Sequence, residues 1–304
     1  MIILLRIIRI RSFIIVLDSE KGFEMLQTNQ KDFTILVNSC DDYQDAWEPF
    51  FRLLKIQWPE CEKYDIMLST HSLIYNCDFL NIKTITSGNK PWSTRLWNSL
   101  QHINTEFVLF FLEDQFLQKP VNVEWLNKSV EFMKSYPDTG VIILRHTPKQ
   151  NKEYDEDFFP REEVSIDFRI VGMVAIYRKD YLLKILRQHE NVWEFEKYAS
   201  IRSKRYKERV LQYNNRNPEI FVYNDEEESG LGIKHGKWLP KNKELFEKYG
   251  IEVNYDNLGV LESYRKTDIN EENDNHSVII RVKNRIKKTP QNLKKSISKF
   301  RSLK

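Results

Sequence analysis

Residues 107 to 117 place six uninterrupted apolar residues, Phe107 to Leu112, directly before Glu113 and Asp114. An apolar run this short, rich in Phe and Val, fits a strand buried on both faces, as in the middle of a parallel sheet. Two adjacent carboxylates at its end cost desolvation energy unless positive charge offsets them. Open α/β sheets bind ligands just beyond the carboxyl ends of such strands. A divalent cation carrying a phosphorylated ligand would offset that charge, because hard cations prefer oxygen donors.

The surrounding pattern supports the same sheet. Phe33 to Val37, Asp65 to Leu68, Ile82 to Ile85 and Val141 to Leu144 read as further strands. Between them, Trp47, Phe50, Phe51, Leu54 and Trp58 recur at helical spacing until Pro59. Ser93 is read as the cap of a helix from Thr94 to Ile103, and Val123 to Tyr136 as another. Strands alternating with amphipathic helices predict a three-layer α/β/α sandwich with a mostly parallel central sheet. The second half is less regular: a strand near Val171 to Tyr177, a helix near Asp180 to Gln188, and loop-rich stretches around Trp193 to Glu196 and Gly230 to Pro240.

Charge separates the tail from the body. Residues 281 to 304 carry ten Lys or Arg and no acid, so removing them from a chain of net charge +3 leaves −7 on residues 1 to 280. A nucleic-acid enzyme carries its positive charge on the folded body, so no specific nucleic-acid partner is expected. Leu293, Ile297 and Phe300 lie at helical spacing among the tail cations, which suits an anionic membrane surface, although a solvated tail has the same composition.

The chain is thus read as an N-terminal segment (1–24), an α/β domain (25–267), a polar linker (268–280) and a basic tail (281–304). The first segment is apolar, but Arg6, Arg9 and Arg11 make a spanning helix expensive. It is either a short interfacial helix or an over-long start, with Met25 the natural first residue. Cys40, Cys61 and Cys77 form no CxxC pair and read as reduced thiols of a cytoplasmic protein. P-loop, dinucleotide-binding and serine-hydrolase motifs are missing.

The stretch from Ser87 to Asp114 resembles the GT-A nucleotide-sugar glycosyltransferases. In that family a helix bearing Arg and Asn, here Arg95 and Asn98, leads through Thr105, Glu106 and Phe107 into an acidic metal motif, here Glu113 and Asp114. The likeness covers roughly residues 33 to 200. The acidic motif departs from Asp-X-Asp, because Gln115 stands where a second acid is usual. Either both carboxylates share a metal, or one takes the metal and the other a ribose.

The resemblance implies a sugar transferred from a nucleoside-diphosphate donor to a glycan or lipid-linked acceptor, with Mn²⁺ or Mg²⁺ on Asp114 and Glu113. It places donor contacts at Asn38, Asp41, Asp42, Arg95 and Glu113, and an acceptor-activating carboxylate around Glu194 or Glu196. Glu196 is preferred because it shares a helical face with Trp193, whose ring would stack on an acceptor sugar. The glycine-punctuated stretch Gly232 to Pro240 offers Lys237 to the diphosphate and His235 as a further metal ligand. Each has a plainer reading: capping carboxylates at Glu113 and Asp114, turn residues at Asn38 to Asp42, and exposed side chains at Arg95 and His235. Together they place an enzyme at the cytoplasmic membrane face. Its rivals are a sugar-phosphate nucleotidyltransferase, which needs a glycine-rich basic loop where Asn38 to Asp42 stands, and a non-catalytic membrane-docked scaffold.

Overall fold

The computed structural model describes residues 31–145, 169–213, 217–224 and 231–261 in full, and the backbone of 6–10, 13–18 and 22–27. The linker and basic tail lie outside the described residues. The chain divides into two units, Met1–Gly259 and Val260–Lys304, and nearly all of the second is among the residues left aside.

Near the N-terminus, β1 (Arg6–Ile10), β2 (Phe13–Asp18) and β3 (Gly22–Gln27) form an antiparallel three-stranded sheet. Residues read either as an interfacial helix or as an over-long start thus include strands, the first two rich in β-branched Ile and Val. The boundary drawn between residues 24 and 25 falls inside β3.

The larger sheet is built from β4 (Phe33–Asn38), β5 (Asp65–Thr70), β6 (Ile82–Thr86), β7 (Phe107–Phe111), β8 (Thr139–Ile143), β9 (Ala175–Arg178) and β10 (Arg209–Gln212). Its order is β10-β8-β9-β7-β4-β5-β6, and β9 alone runs antiparallel to its neighbours. Every residue of β4 and β7 is buried. Their register pairs Val37 with Phe111, so both strands end side by side. That shared end brings Asn38 to Asp42 next to Glu113 and Asp114.

Helices cover both faces. On one, α2 (Trp92–Gln101), α4 (Lys179–Ile185) and α5 (Val192–Ser203) join Leu36, Val108, Phe110 and Tyr177 in a core that includes Leu96, Leu100, Leu182, Ile185, Phe195 and Ala199. On the other, α1 (Gln44–Gln57) sets Phe50 against Phe111 with ring centroids 5.9 Å apart. A further helix, α3 (Val123–Ser135), packs on β8. This is the three-layer α/β sandwich with a mostly parallel sheet that the sequence predicts. Each large side chain so buried stabilises the fold by about 1.5–3 kcal/mol.

Several local expectations change. Ser93 is not the cap of α2: Pro91 takes that place, and Ser93 is buried. The strand expected from Val171 starts at Ala175, because the Gly172 N–H is turned to a side chain instead of a neighbouring strand. Trp193 to Glu196 lies in the first turns of a regular helix, as the face shared by Trp193 and Glu196 requires. The Gly230 to Pro240 stretch holds a hairpin of β11 (Ile233–Lys234) and β12 (Lys237–Trp238), followed by α6 (Asn242–Lys248). Among the described residues, no helix is long and apolar enough to cross a membrane.

Candidate active site

The end of β7 stays buried past its last strand residue: Glu113 is 6% exposed, and Asp114 is half-buried. Burial pushes the Glu113 carboxyl well above the usual range, and the charge of Asp114 pushes it the same way. Ser39 beside it and Arg95 favour its charged form. Asp114 is raised by burial. Ser39 is itself fixed by Trp47, whose Nε1 donates to Ser39 Oγ at 2.7 Å.

Arg95 is not exposed, and two of its donors are already engaged, while its Nε is buried without a protein partner. It is buried, and its Nη1 and Nη2 donate to the carbonyls of Lys90 (2.8 Å) and Ser39 (3.1 Å). It therefore fixes the β4 exit and lends positive field to Glu113. Asp41 also has a task of its own. Its carboxylate accepts from the backbone N–H groups of His71 (2.9 Å) and Ser72 (3.0 Å) and from the Ser72 hydroxyl (2.6 Å), shaping the loop after β5. Those bonds outweigh burial and hold its carboxyl below the ordinary value. Asp42 is exposed at the same corner. Asn38 is 1% exposed, and neither its side-chain oxygen nor its nitrogen has a protein partner. A buried amide left so costs about 1–3 kcal/mol per group, so this position calls for a polar ligand or water.

Glu196 reaches the same end of the sheet from α5. It is half-buried, and its Oε1 accepts from the Gly172 N–H at 2.5 Å. A Cβ built on Gly172 would lie 3.1 Å from that oxygen and 3.5 Å from Leu112, the residue before Glu113. Burial raises the Glu196 carboxyl, and the Gly172 N–H partly opposes the rise. Glu194 is used differently: it completes a capping box with Asn191 at the start of α5, donating no group to the sheet end. Trp193 is 73% exposed at the outer side of that first turn.

The hairpin docks on the acidic junction from another direction. Gln115 bridges to Leu231, and the Gly232 N–H donates to the Asp114 carbonyl at 2.6 Å. Gln115 is thus a buried bridging residue, with no acid at its position to add to the pair. His235 and Gly236 form the tight turn, with φ of 50° and 71°. His235 and Lys237 are exposed, and extended backbone carries His235 roughly 10 Å along the chain from Gly232. His235 is not gathered with the carboxylates as a third ligand. Gly232 is the residue whose side chain must stay small: a Cβ there would lie 2.1 Å from the Phe116 ring and 2.9 Å from the Asp114 carbonyl. Gly232→Ala is expected to cost about 1–3 kcal/mol of stability, read as a lower Tm, through overpacking against Asp114.

The residues present fit a hard divalent ion. Two carboxylates, Glu113 and Asp114, lie side by side at the strand end, and the Arg95 guanidinium favours the charged form of Glu113. Among the described residues no group of three or more His, Cys, Asp or Glu converges on one point. Mg²⁺-type ions are bound through one or two carboxylates together with substrate phosphates, and that smaller donor set is present. Cys40 contributes no thiolate: burial pushes its thiol up to about 11. Ser39, Gly172 and Gly232 are the positions that sequence reasoning missed.

No protein-family model and no curated protein matches the chain. Among solved structures it is similar to S. aureus TarS, at 17% identity and a TM-score of 0.42, over 61% of this chain and 35% of that one. S. aureus TarS 1–349 in complex with UDP-GlcNAc matches at 14% identity and a TM-score of 0.43, over 67% of this chain and 62% of that one. The chain therefore spans less than two thirds of either TarS structure. A 2-C-methyl-D-erythritol 4-phosphate cytidylyltransferase from Thermus thermophilus matches at 9% identity and a TM-score of 0.39, over 62% of this chain and 93% of that one.

Proposed function

We propose that the chain is an inverting glycosyltransferase, moving a sugar from a nucleoside-diphosphate donor to a hydroxyl of a glycan or lipid-linked acceptor. The supporting observation is the meeting of two unlike acidic elements at one sheet end. Glu113 and Asp114 form a charge-dense corner, and Glu196 stands apart across Gly172, raised by burial and held by a single N–H. The first suits an ion and a diphosphate; the second suits a base.

Glu113 and Asp114 would hold Mn²⁺ or Mg²⁺, which when bound stabilises charge on the departing diphosphate. Asn38 would satisfy its free amide on the donor, and Asp42 lies exposed beside it for a ribose hydroxyl. Arg95 acts from beneath by fixing the Ser39 carbonyl. Glu196 takes the proton from the acceptor hydroxyl. The acceptor oxygen then bonds to the anomeric carbon as the bond to the diphosphate oxygen breaks, and the electron pair leaves with the diphosphate. Lys237, exposed on the hairpin, would contact the diphosphate.

The test is a thermal-shift panel of nucleoside diphosphates, nucleotide sugars and nucleoside triphosphates, with and without Mn²⁺. A ligand of the folded state raises stability by about 2.7 kcal/mol at a hundred times its Kd. One diphosphate and its sugar should stabilise the protein with Mn²⁺, and Asp114→Asn should remove the Mn²⁺-dependent part. A response to triphosphates alone, or one indifferent to Mn²⁺ and to Asp114→Asn, would sink the reading.

A further inference from the structure

The outward face of α5 differs from the outer surface expected of a helix packed on a core. Seven large hydrophobic residues are exposed among the described residues, and three sit on this one helix: Trp193 at 73%, Tyr198 at 44% and Ile201 at 43%. Lys197, Lys204 and Arg205 are exposed with them. At about 100° per residue Trp193, Lys197, Tyr198 and Ile201 share an arc of about 140°, with Lys204 and Arg205 in the turn that follows the helix, while Phe195, Ala199 and Ser203 face the core on the other side.

The acids of this region are already engaged. Glu194 is held in the capping box, and Glu196 turns inward to Gly172. Glu190 is buried against Arg202, and Glu208 is paired with Lys184. The face is therefore aromatic, apolar and cationic, with Glu194 its one acid. Trp and Tyr prefer the level of lipid headgroups, and Lys and Arg are drawn to anionic lipid.

We propose that the outer face of α5 docks flat on an anionic bilayer surface, with Trp193, Tyr198 and Ile201 at the headgroup level and Lys197, Lys204 and Arg205 on lipid phosphates. The body would then carry a membrane contact of its own, separate from the basic segment at residues 281–304. Glu196 lies on the same helix but turns inward to Gly172, away from this face, so docking would hold the enzyme at the membrane without itself aiming the base. Vesicle binding stands apart from the transfer reaction; the choice of a lipid-linked acceptor over a free glycan rests on both.

The seven tryptophans make the contact readable in the full chain, since none lies in residues 262–304. Trp47, Trp58 and Trp238 are buried, whereas Trp193 is the one strongly exposed. The full-length protein is mixed with phosphatidylglycerol–phosphatidylcholine vesicles carrying bromine-labelled acyl chains, and with phosphatidylcholine vesicles as control. Binding to anionic vesicles should quench tryptophan fluorescence, weaken with added salt, and lose its quenching in Trp193→Phe. Lys197→Glu with Lys204→Glu should lower the partition coefficient at least about tenfold. Sedimentation with anionic vesicles but no quenching would assign the binding to another part of the chain and overturn the proposal. So would failure to bind, or a dimer in solution that Ile201→Glu dissociates. A glycosyltransferase active on soluble acceptors yet blind to vesicles would overturn the docking while leaving the reaction intact.

Discussion

Glu196→Gln is expected to lower kcat by about 10²–10⁴ and to leave nucleoside-diphosphate binding unchanged. It should also cost no stability at neutral pH. In the folded protein the Glu196 carboxyl is raised by burial. Its protonated form is therefore favoured by folding, and the stability it contributes is complete below the ordinary glutamate value. That contribution is lost as pH rises through the raised folded value. Glutamine cannot ionise, and its Oε1 can still accept the Gly172 N–H, so the variant should equal or exceed the parent above the carboxylate range. A Glu196 that served only structure would give the reverse: lower stability with kcat per folded molecule intact. The acid limb of the parent's kcat profile should lie above the usual glutamate value of 4.5 and vanish in the variant. Glu194→Gln is the control. It keeps the capping box, where glutamine serves as well, so it should cost no more than about 0.3–1 kcal/mol through the charge lost at the helix start and leave kcat alone. If Glu194→Gln instead abolishes transfer, the base has been assigned to the wrong carboxylate.

The contrast between those two glutamates shows where sequence reading stops. The alternation of short apolar runs with amphipathic stretches made the sheet legible, and the Phe107 to Asp114 junction marked the end of it that matters. Helix α5 was legible only at its start, because its outer side carries Trp193, Tyr198 and Ile201, which erase the polar half of the helical period. Ser93 looked like a cap because a hydroxyl precedes a periodic run, but Pro91 fixes the backbone two residues earlier.

Roles set by distant partners were harder still. Asp41 could be read as a turn residue, yet its hydrogen bonds reach His71 and Ser72, thirty residues on. Arg95 carried the sign of a phosphate ligand, and only the fold shows that the carbonyls of Ser39 and Lys90 take two of its donors. Gln115 was read as a missing acid. Its buried position and bridge to Leu231 show that it secures the segment whose Gly232 lies on Asp114. In each case the residue type was right for the corner, and its partner was fixed only by the fold.

Glu190→Ala is expected to be among the most destabilising single changes, at about 3–5 kcal/mol, because it strips the counter-charge from a buried guanidinium. Glu190 has a side chain only 2% exposed and meets both Nη atoms of Arg202, at 2.5 and 2.6 Å. Arg202 also donates from Nε and Nη2 to the Ile185 carbonyl, so it cannot swing out to water without breaking those bonds. The pair clamps the end of α5 to the segment before it, while the Glu190 carbonyl accepts from the Ser93 N–H at 3.1 Å. One residue thus ties together α2, which carries Arg95, and α5, which carries Glu196. Urea denaturation of Glu190→Ala beside Glu48→Ala gives the scale. The Glu48–Arg52 pair is exposed, with side-chain exposures of 51% and 42%, and its loss should cost about 0–1 kcal/mol. Arg202→Ala should also cost more than Glu48→Ala, since it leaves the buried Glu190 carboxylate without its partner. A Glu190→Ala midpoint indistinguishable from that of Glu48→Ala would mean that α5 is held by its Phe195 and Ala199 packing alone, with the clamp adding nothing.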